Sequence, residues 1–203
     1  MGMVLYGRDT SGNTRKVVLA LAFMDIPHEK VVVDRQNHKL IRTPELMRGN
    51  PRGLIPKLEV DGKIFWDSTA ILIYLARRFG GEQWLPIDPD GMAEVAQWLA
   101  LAQNEILVGV AYSRAVTAGR RQGDLEKIRA LGRVGLATME ARLSNNDWLA
   151  LDRMTIADCA CFPHVSVAHE GGITLDEYPG VLAWVRRIQK RPGYSGMPGD
   201  LPL

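Results

Sequence analysis

The sequence predicts a protein in two parts, an α/β domain over residues 1–80 and an all-helical domain over residues 91–203, joined by a linker over residues 81–90. Two observations lead to this fold class. Short apolar runs alternate with stretches of helical apolar spacing in the first part, whereas only helical spacing follows Pro86 and Pro89. At 203 residues, the chain is also long enough to bury a core in each part.

The α/β domain opens with a βαβ unit. The run MVLY at residues 3–6 is typical of a short strand, TRKVVLALAFMDI has helical apolar spacing up to Pro27, and HEKVVVD is a second strand. A polar loop follows, and then a short helix, TPELMRGN, with its proline at the helix start.

A hairpin and a helix complete the domain. The strands PKLEV and KIFW are separated by Asp61-Gly62, a pair typical of a tight hairpin turn. Ser68 is expected to cap the next helix, TAILIYLARRF, which ends at Gly80-Gly81. The predicted order is therefore βαβαββα. In the second domain, helices are predicted over residues 91–118, 124–143, 155–169 and 178–189.

Composition excludes several classes of protein. With 46% hydrophobic and 24% charged residues the chain is typical of a globular protein, and its net charge of +2 argues against a dedicated nucleic-acid binder. We find no signal peptide and no membrane-spanning run, so no membrane partner and a cytoplasmic location are expected. Cys159 and Cys161 are two apart in an apolar segment and are expected to be structural, without a disulfide or a metal site.

The tetrapeptide GLIP places a proline where a strand begins. A proline there gives up one ladder hydrogen bond, which is tolerated at the start of a strand. With a cis Ile55-Pro56 bond, the N–H and C=O of Ile55 would point outward and could pair in antiparallel fashion with a short extended peptide. The alternative is an ordinary proline at the start of a strand.

The tetrapeptide WDST places an acid beside a helix start. With Ser68 as the N-cap, its hydroxyl and the free N–H groups of the helix would bind a carboxylate, while Asp67 would hold an ammonium group. Together they match an α-amino acid head. The alternative is an ordinary capped helix, since every helix needs a cap.

Read together, these features make the sequence resemble the cytosolic glutathione transferases. The resemblance covers nearly the whole chain and rests on NPRGLIPKLEVDG, DSTAILIYLARRFG, TIADCACFPHV and YPGVLAWVRRIQKRPGY. It implies a thioredoxin-like N-terminal domain that binds glutathione and a helical domain that shapes the pocket for a second substrate. It also implies that Ile55, after which Pro56 follows, pairs with the cysteinyl backbone, and that Asp67 and Ser68 hold the γ-glutamyl head.

The resemblance also indicates which residues activate the thiol. A free thiol has a pKa of about 8.5, so a hydrogen-bond donor aimed at the sulphur is needed to stabilise the thiolate. Ser11 falls where serine-type members carry their hydroxyl, and Asn13 where some bacterial members carry an asparagine, with Thr10 as a weaker candidate. Tyr6 lies too early for an activating tyrosine, and the absence of cysteine from this loop disfavours thiol exchange.

The remaining site residues are less strongly indicated. Arg42 stands where plant-type members carry a lysine for the glycine carboxylate, with His38 and Lys39 nearby, and a solvated surface charge is the alternative. A helical face with Trp98, Leu101, Glu105, Val108 and Tyr112 is typical of core. In this family one end of that helix borders the cleft, so Val108 and Tyr112 are candidates for the second-substrate pocket. The pairs Arg120-Arg121 and Arg186-Arg187 are interpreted as solvated faces.

The sequence therefore predicts a glutathione transferase of the serine or asparagine type. Glutathione is the expected co-substrate, held as thiolate by Ser11 and Asn13, and the partner is a small-molecule electrophile or a peroxide. The alternatives are a glutathione-dependent isomerase or dehalogenase and a non-catalytic binding or regulatory protein of the same fold. The resemblance further implies a symmetric homodimer, with no metal and no nucleic acid.

Overall fold

The computed structural model describes residues 2–36 and 39–202, so His38 lies outside the described residues. Its N-terminal part has the predicted βαβαββα order, with one additional strand pair. The elements are β1 (Met3–Gly7), α1 (Gly12–Phe23), β2 (Glu29–Val32), β3 (Arg35–Gln36), β4 (Lys39–Leu40), α2 (Pro44–Met47), β5 (Lys57–Val60), β6 (Lys63–Trp66) and α3 (Ser68–Leu75).

Four of these strands form one mixed sheet in the order β2-β1-β5-β6. Strand β1 runs parallel to β2 and antiparallel to β5, and β5 pairs with β6 through the predicted hairpin turn. Asp61 and Gly62 both have positive φ, 48° and 80°, which is the backbone that this turn requires. The parallel pair is the one whose strands are joined by the crossover helix α1, as expected for a βαβ unit.

The additional pair, β3 and β4, lies in the segment that the sequence indicates as a polar loop. These two-residue strands pair only with each other, with Arg35 opposite Leu40. Their side chains are exposed or half-buried, so no apolar alternation marks them in the sequence.

The remainder of the described chain is helical. Helix α3 runs on into a π-helical turn, Ala76–Gly80, and α4 into a π-helical segment, Ala102–Ala111. The helices are α4 (Pro89–Leu101), α5 (Tyr112–Thr117), α6 (Leu125–Leu143), α7 (Ile156–Val165) and α8 (Pro179–Gln189), with a 3₁₀ turn at Ala168–Gly171. None of the helices in the described ranges is long and apolar enough to cross a membrane.

Helix α7 connects the two parts of the molecule. It packs against α1 and α3 on one side and against α4 and the π-helical segment on the other. Its start is fixed by a capping box in which Thr155 caps the helix and the buried carboxylate of Asp158 accepts from the Thr155 backbone N–H at 2.8 Å. Asp158 also accepts from Trp184 Nε1 at 2.9 Å, which ties α8 to the same point.

The buried face of the helix formed by α4, the π-helical segment and α5 is not the face that the sequence predicts. Trp98, Leu101, Glu105, Val108 and Tyr112 are all only half-buried. The fully buried positions lie next to them, at Ala102, Ile106 and Val110. The π-helical segment has more residues per turn than an α-helix, so a regular spacing of three and four residues does not follow one face through it.

Candidate functional site

Two neighbouring cavities lie where the sequence places the functional residues. The first, of about 80 Å³, is called the Pro56 cavity here. The second, of about 270 Å³, is called the arginine cavity. The Pro56 cavity is lined by Asn13, Asn50, Arg52, Leu54, Ile55, Pro56, Trp66, Asp67, Ser68, Gln103 and Leu107. The arginine cavity is lined by Thr10, Ser11, Gly12, Asn13, Arg35, Ala111, Tyr112, Arg114, Ala115, Arg120, Arg121 and His164.

The loop before β5 presents free backbone groups to the Pro56 cavity. The Ile55-Pro56 peptide bond is cis, one of the two interpretations that the sequence left open. Asn50 fixes the loop, since its Nδ2 donates to the Leu54 carbonyl at 2.8 Å. Among the described residues, neither the N–H nor the C=O of Ile55 has a hydrogen-bond partner, and the buried Oδ1 of Asn50 has none either. The cavity wall therefore offers donors and acceptors that suit a peptide-like ligand.

Asp67, rather than Ser68, is the N-cap of α3, which corrects the expectation from the sequence. Its Oδ1 accepts from the N–H of Thr69 at 2.9 Å and of Ala70 at 3.4 Å. Its φ of 75° is unusual for a residue other than glycine, and such backbone strain is found most often at functional sites. Ser68 is then the first helical residue, 3% exposed, and it lines the cavity.

Two further polar residues approach Asp67. Gln103, from the π-helical segment of the helical domain, donates through Nε2 to Thr69 Oγ1 at 2.6 Å and lies 3.5 Å from Asp67 Oδ1. The Nη1 of Arg52 lies 3.7 Å from Asp67 Oδ2, in a pair exposed enough to contribute little to stability. The cavity thus presents one acid, Asp67, and one exposed cation, Arg52.

Asn13 is the one residue, within the part of the chain that the structure describes, that lines both cavities. It is the second residue of α1, whose start packs directly against α7 of the helical domain. The ring of His164 lies so close that a Cβ built on Gly12 would come within 2.3 Å of it, which explains the glycine at that position. The Nε2 of His164 lies 3.2 Å from Oδ1 of Asn13.

In the structure the oxygen of the Asn13 amide is the atom that faces His164. Burial, with Lys16 and Arg114 nearby, lowers the pKa of His164 well below its ordinary value, so the ring is neutral and carries a single N–H. An amide oxygen only accepts hydrogen bonds, so Nε2 carries that hydrogen and donates it to Asn13. The Asn13 NH₂ group consequently remains available to another acceptor.

Ser11 has a structural role in addition to its proposed one. It is the N-cap of α1, and its hydroxyl oxygen accepts from the Thr14 N–H at 3.3 Å. The hydroxyl hydrogen is still free to donate. Ser11 and Thr10 line the arginine cavity but not the Pro56 cavity, and Tyr6 lines neither of the two.

Other residues named from the sequence lie elsewhere. Arg42 is exposed, with its Nη2 3.4 Å from the Arg52 carbonyl, and it lines neither cavity. Val108 also lines neither cavity, whereas Tyr112 lines the arginine cavity. Cys159 and Cys161 are free thiols that are fully buried, as their structural interpretation requires.

Several lining residues were not indicated by the sequence. Leu107 and Gln103 are four residues apart and face the Pro56 cavity from the helical domain, while Arg120 and Arg121 reach the arginine cavity from the loop after α5. No local pattern distinguishes such residues, because only the packing of the two domains brings them to the site. The cis Ile55-Pro56 bond and the Asp67-Ser68 pair, by contrast, carry a local signal.

The chain matches two family models along most of its length. Residues 10–78 match the glutathione S-transferase N-terminal domain and residues 98–192 match the glutathione S-transferase C-terminal domain. The fold is similar to the crystal structure of a glutathione S-transferase from Pseudomonas fluorescens, with 33% identity, a TM-score of 0.86 and coverage of 97% of this chain and 99% of that one. Among curated proteins it is 28% identical to glutathione S-transferase GstB of Escherichia coli, over 94% of each chain. It is also 29% identical to glutathione S-transferase 1 of Manduca sexta, over 96% of this chain and 91% of the relative.

Proposed function

The chain belongs to the glutathione S-transferase family, and we propose that it binds glutathione in the Pro56 cavity and activates its thiol mainly through Asn13. The observation that carries this proposal is the position of Asn13 at the junction of the two cavities. A thiol placed there would be held from one cavity and would meet its reaction partner in the other.

The Pro56 cavity supplies complementary groups for each part of glutathione. The Ile55 backbone would pair with the cysteinyl residue. The Oδ1 of Asn50, which has no hydrogen-bond partner among the described residues, could accept a hydrogen bond from an N–H of the ligand. Asp67 would hold the γ-glutamyl ammonium group, while the hydroxyl and the N–H of Ser68 would hold its carboxylate, since Asp67 itself already accepts from the N–H groups of Thr69 and Ala70. For the glycine carboxylate we retain Arg42 and add Arg52, which the cavity itself presents.

Asn13 would stabilise the thiolate by donation from its NH₂ group. A hydrogen bond to a charged sulphur is stronger than one to the neutral thiol, so it lowers the thiol pKa without taking up the proton, which passes to solvent. Ser11 is a second donor through its hydroxyl hydrogen. The thiolate then attacks an electrophilic carbon, a C–S bond forms, and the leaving group departs with its electron pair.

A titration of bound glutathione tests this assignment. Replacing Asn13 with Ala should raise the pKa of the bound thiol by about 1–2 units, because a hydrogen bond to a charged group contributes about 1.5–3 kcal/mol. Affinity for the protonated thiol in mildly acidic buffer should change little. The measurement is thiolate absorbance against pH for the wild type, for Asn13→Ala, for Ser11→Ala and for the double variant.

The double variant shows whether the two donors act as a unit, since two groups that share one sulphur are not expected to be additive. An unchanged thiol pKa in all three variants would remove this loop as the activator. The isomerase, dehalogenase and peroxidase alternatives use the same activated thiol, so they are separated by a panel of substrates. Retention on immobilised glutathione without turnover of any of them would support the binding-protein alternative.

A further inference from the structure

The arginine cavity has an unusual concentration of positive charge. Four arginines line it, and they come from three separate places in the fold. Arg35 belongs to β3, Arg114 to α5, and Arg120 and Arg121 to the loop between α5 and α6. Among the described residues that line the cavity, there is no aspartate or glutamate.

Only one of these arginines has a carboxylate partner within the described ranges. Arg114 pairs with Glu170, which holds its side chain at 13% exposure. Partial burial, together with the neighbouring Arg8 and Arg120, lowers the pKa of Arg35, as expected where cations are crowded. The cavity therefore carries an excess of positive charge that the chain does not neutralise.

Arg120 and Arg121 are exposed, in agreement with their interpretation as a solvated face, but they also line the cavity. The guanidinium of Arg121 lies on the Tyr112 ring, 3.7 Å from its centroid, and so has a defined direction. Arg114 is fixed by Glu170, and Arg114 and Arg121 line the same cavity as Ser11 and Asn13.

We propose that the arginine cavity selects electrophiles that carry an anionic group, such as a carboxylate, in the same small molecule as the reactive carbon. This inference rests on the proposed function, since it names the substrate class of the same site. Guanidinium groups bind carboxylates through paired hydrogen bonds, so the arginines would hold the anion while the carbon faces the sulphur near Asn13. They would also offset the repulsion between thiolate and carboxylate, which slows the same reaction in water.

The chemistry is a substitution at a carbon that bears a halide. The thiolate sulphur attacks that carbon, the new C–S bond forms as the C–Cl bond breaks, and chloride leaves with the electron pair. The carboxylate takes no part in the bond changes and remains in the thioether product. No oxidant or further co-reactant is needed.

Matched reagents isolate the charge. Chloroacetate and chloroacetamide share a reactive carbon and a leaving group, as do 4-chloro-3-nitrobenzoate and 4-chloro-3-nitrobenzamide. For each reagent we would measure kcat/KM with glutathione and divide it by the uncatalysed rate constant. In at least one pair, we expect the rate enhancement for the acid to exceed that for the amide by about tenfold or more, which is the effect of one charge-assisted contact. Both cysteines are fully buried, so the reagents have no exposed protein thiol to modify.

Variants assign the preference to the cavity. In Arg120→Gln, Arg121→Gln and Arg35→Gln, the acid-to-amide ratio of these enhancements should fall about tenfold, and added salt should lower it in the wild type. Arg186→Gln, at an exposed position on α8 outside the cavity, is the matched control and should keep the wild-type ratio.

Equal enhancement for acid and amide in both pairs, or a ratio that the cavity variants do not change, would overturn the inference while leaving the proposed function intact. Acceleration of none of the four reagents, while the bound thiol still has a lowered pKa, would also overturn the inference and leave the proposed function intact. A bound thiol with the pKa of free glutathione would contradict the proposed function itself and the inference with it.

Discussion

At the scale of single residues, the direction of one side-chain amide decides whether Asn13 can serve as a donor. An asparagine presents either its oxygen or its NH₂ group, and only the second stabilises a thiolate. In the structure the Asn13 oxygen lies 3.2 Å from Nε2 of His164, a residue of the helical domain, which leaves the NH₂ group for another acceptor. The proposed activation would thus depend on a residue about 150 positions away in sequence, which no motif around Asn13 indicates.

His164→Leu should therefore raise the pKa of bound glutathione by about 1 unit, because the Asn13 amide is then free to rotate. His164→Gln, which keeps an N–H donor, should restore most of the wild-type value. Thiolate absorbance against pH measures both. Cys159→Ala, a cavity-creating change in the same helix, is the control for a general loss of packing. In the Asn13→Ala background His164→Leu should have no further effect, and an equal rise there would refute the positioning role.

A second residue-scale prediction concerns the γ-glutamyl contacts. Ser68→Ala should weaken glutathione binding by about 1–3 kcal/mol, the loss expected for a bond to a charged group. For Asp67 the better variant is Asp67→Asn, since it keeps an oxygen to cap α3 and tolerates positive φ while removing the charge. Calorimetry at constant pH gives both dissociation constants.

Asp88→Asn is the matched control for that experiment. Asp88 caps α4 in the same manner, accepting from Gly91 N–H at 2.8 Å, but lines neither cavity. Wild-type affinity in both Ser68→Ala and Asp67→Asn would show that this helix start does not hold the γ-glutamyl head.

The sequence indicates these residues because their signals are local. A proline before a strand and an Asp-Ser pair before a helix are read from neighbours in the chain. The same locality explains the error at the cap, since Asp67 and Ser68 are both good capping residues and only the positive φ of Asp67 decides between them. Arg52, Gln103 and the arginines of the second cavity have no comparable signal, since tertiary packing alone brings them to the site.

At the scale of elements, the sequence predicts the α/β half well because its periods are regular. The β3–β4 pair escapes prediction because its short strands bury no face. The sequence predicts that α4 and the π-helical segment after it are helical, but it does not predict which side chains they bury. The π-helical segment has more residues per turn than an α-helix, so a spacing of three and four residues does not mark its buried face. In that segment Gly109 approaches the Gly132 backbone of α6 so closely that a Cβ would lie 2.2 Å from Gly132 N.

Helix α1 contains a buried lysine that destabilises the folded state, and a mutation can remove it. The amine of Lys16 is buried without a hydrogen-bond partner in the described structure, and burial lowers its pKa from 10.5 to about 8. Below about pH 8 the folded protein must bury a charge, which destabilises it by up to about 3 kcal/mol. Lys16→Met should therefore raise the free energy of unfolding by a comparable amount at neutral pH.

The sign of the pH dependence tests this explanation. Between about pH 8 and 10.5 the folded state has lost the proton that the unfolded state still holds, so wild-type stability from this group rises with pH. The advantage of Lys16→Met should accordingly shrink across that window, measured by urea unfolding at a series of pH values. Lys63→Met, at an exposed lysine of β6, should show no such trend. An advantage independent of pH would attribute the gain to packing instead.

At the scale of the whole molecule, one continuous core joins the two parts. Leu72 of α3 and Phe162 of α7 belong to the same buried cluster, and Arg15 of α1 donates to Ser195 near the C-terminal end at 3.1 Å. The positions of Asn13 and His164 on opposite sides of this junction make it part of the site as well as of the fold. The two cavities meet at the same junction.

The last prediction is a symmetric homodimer in which the Pro56 cavity lies near the two-fold axis. Trp66, which lines that cavity, and Ile73 of α3 are 37% and 40% exposed, which leaves apolar surface beside the proposed glutathione site. A two-fold pair would bury this surface against a partner. Ile73→Arg should then yield monomers by light scattering at micromolar concentration. It should also weaken glutathione binding, since Trp66 would no longer be covered by the partner.

Val134→Arg, at an apolar residue of α6 that is 57% exposed, is the control and should remain dimeric. A wild-type protein of monomer mass would contradict the dimer, and dissociation by Val134→Arg but not by Ile73→Arg would place the interface on the helical domain instead.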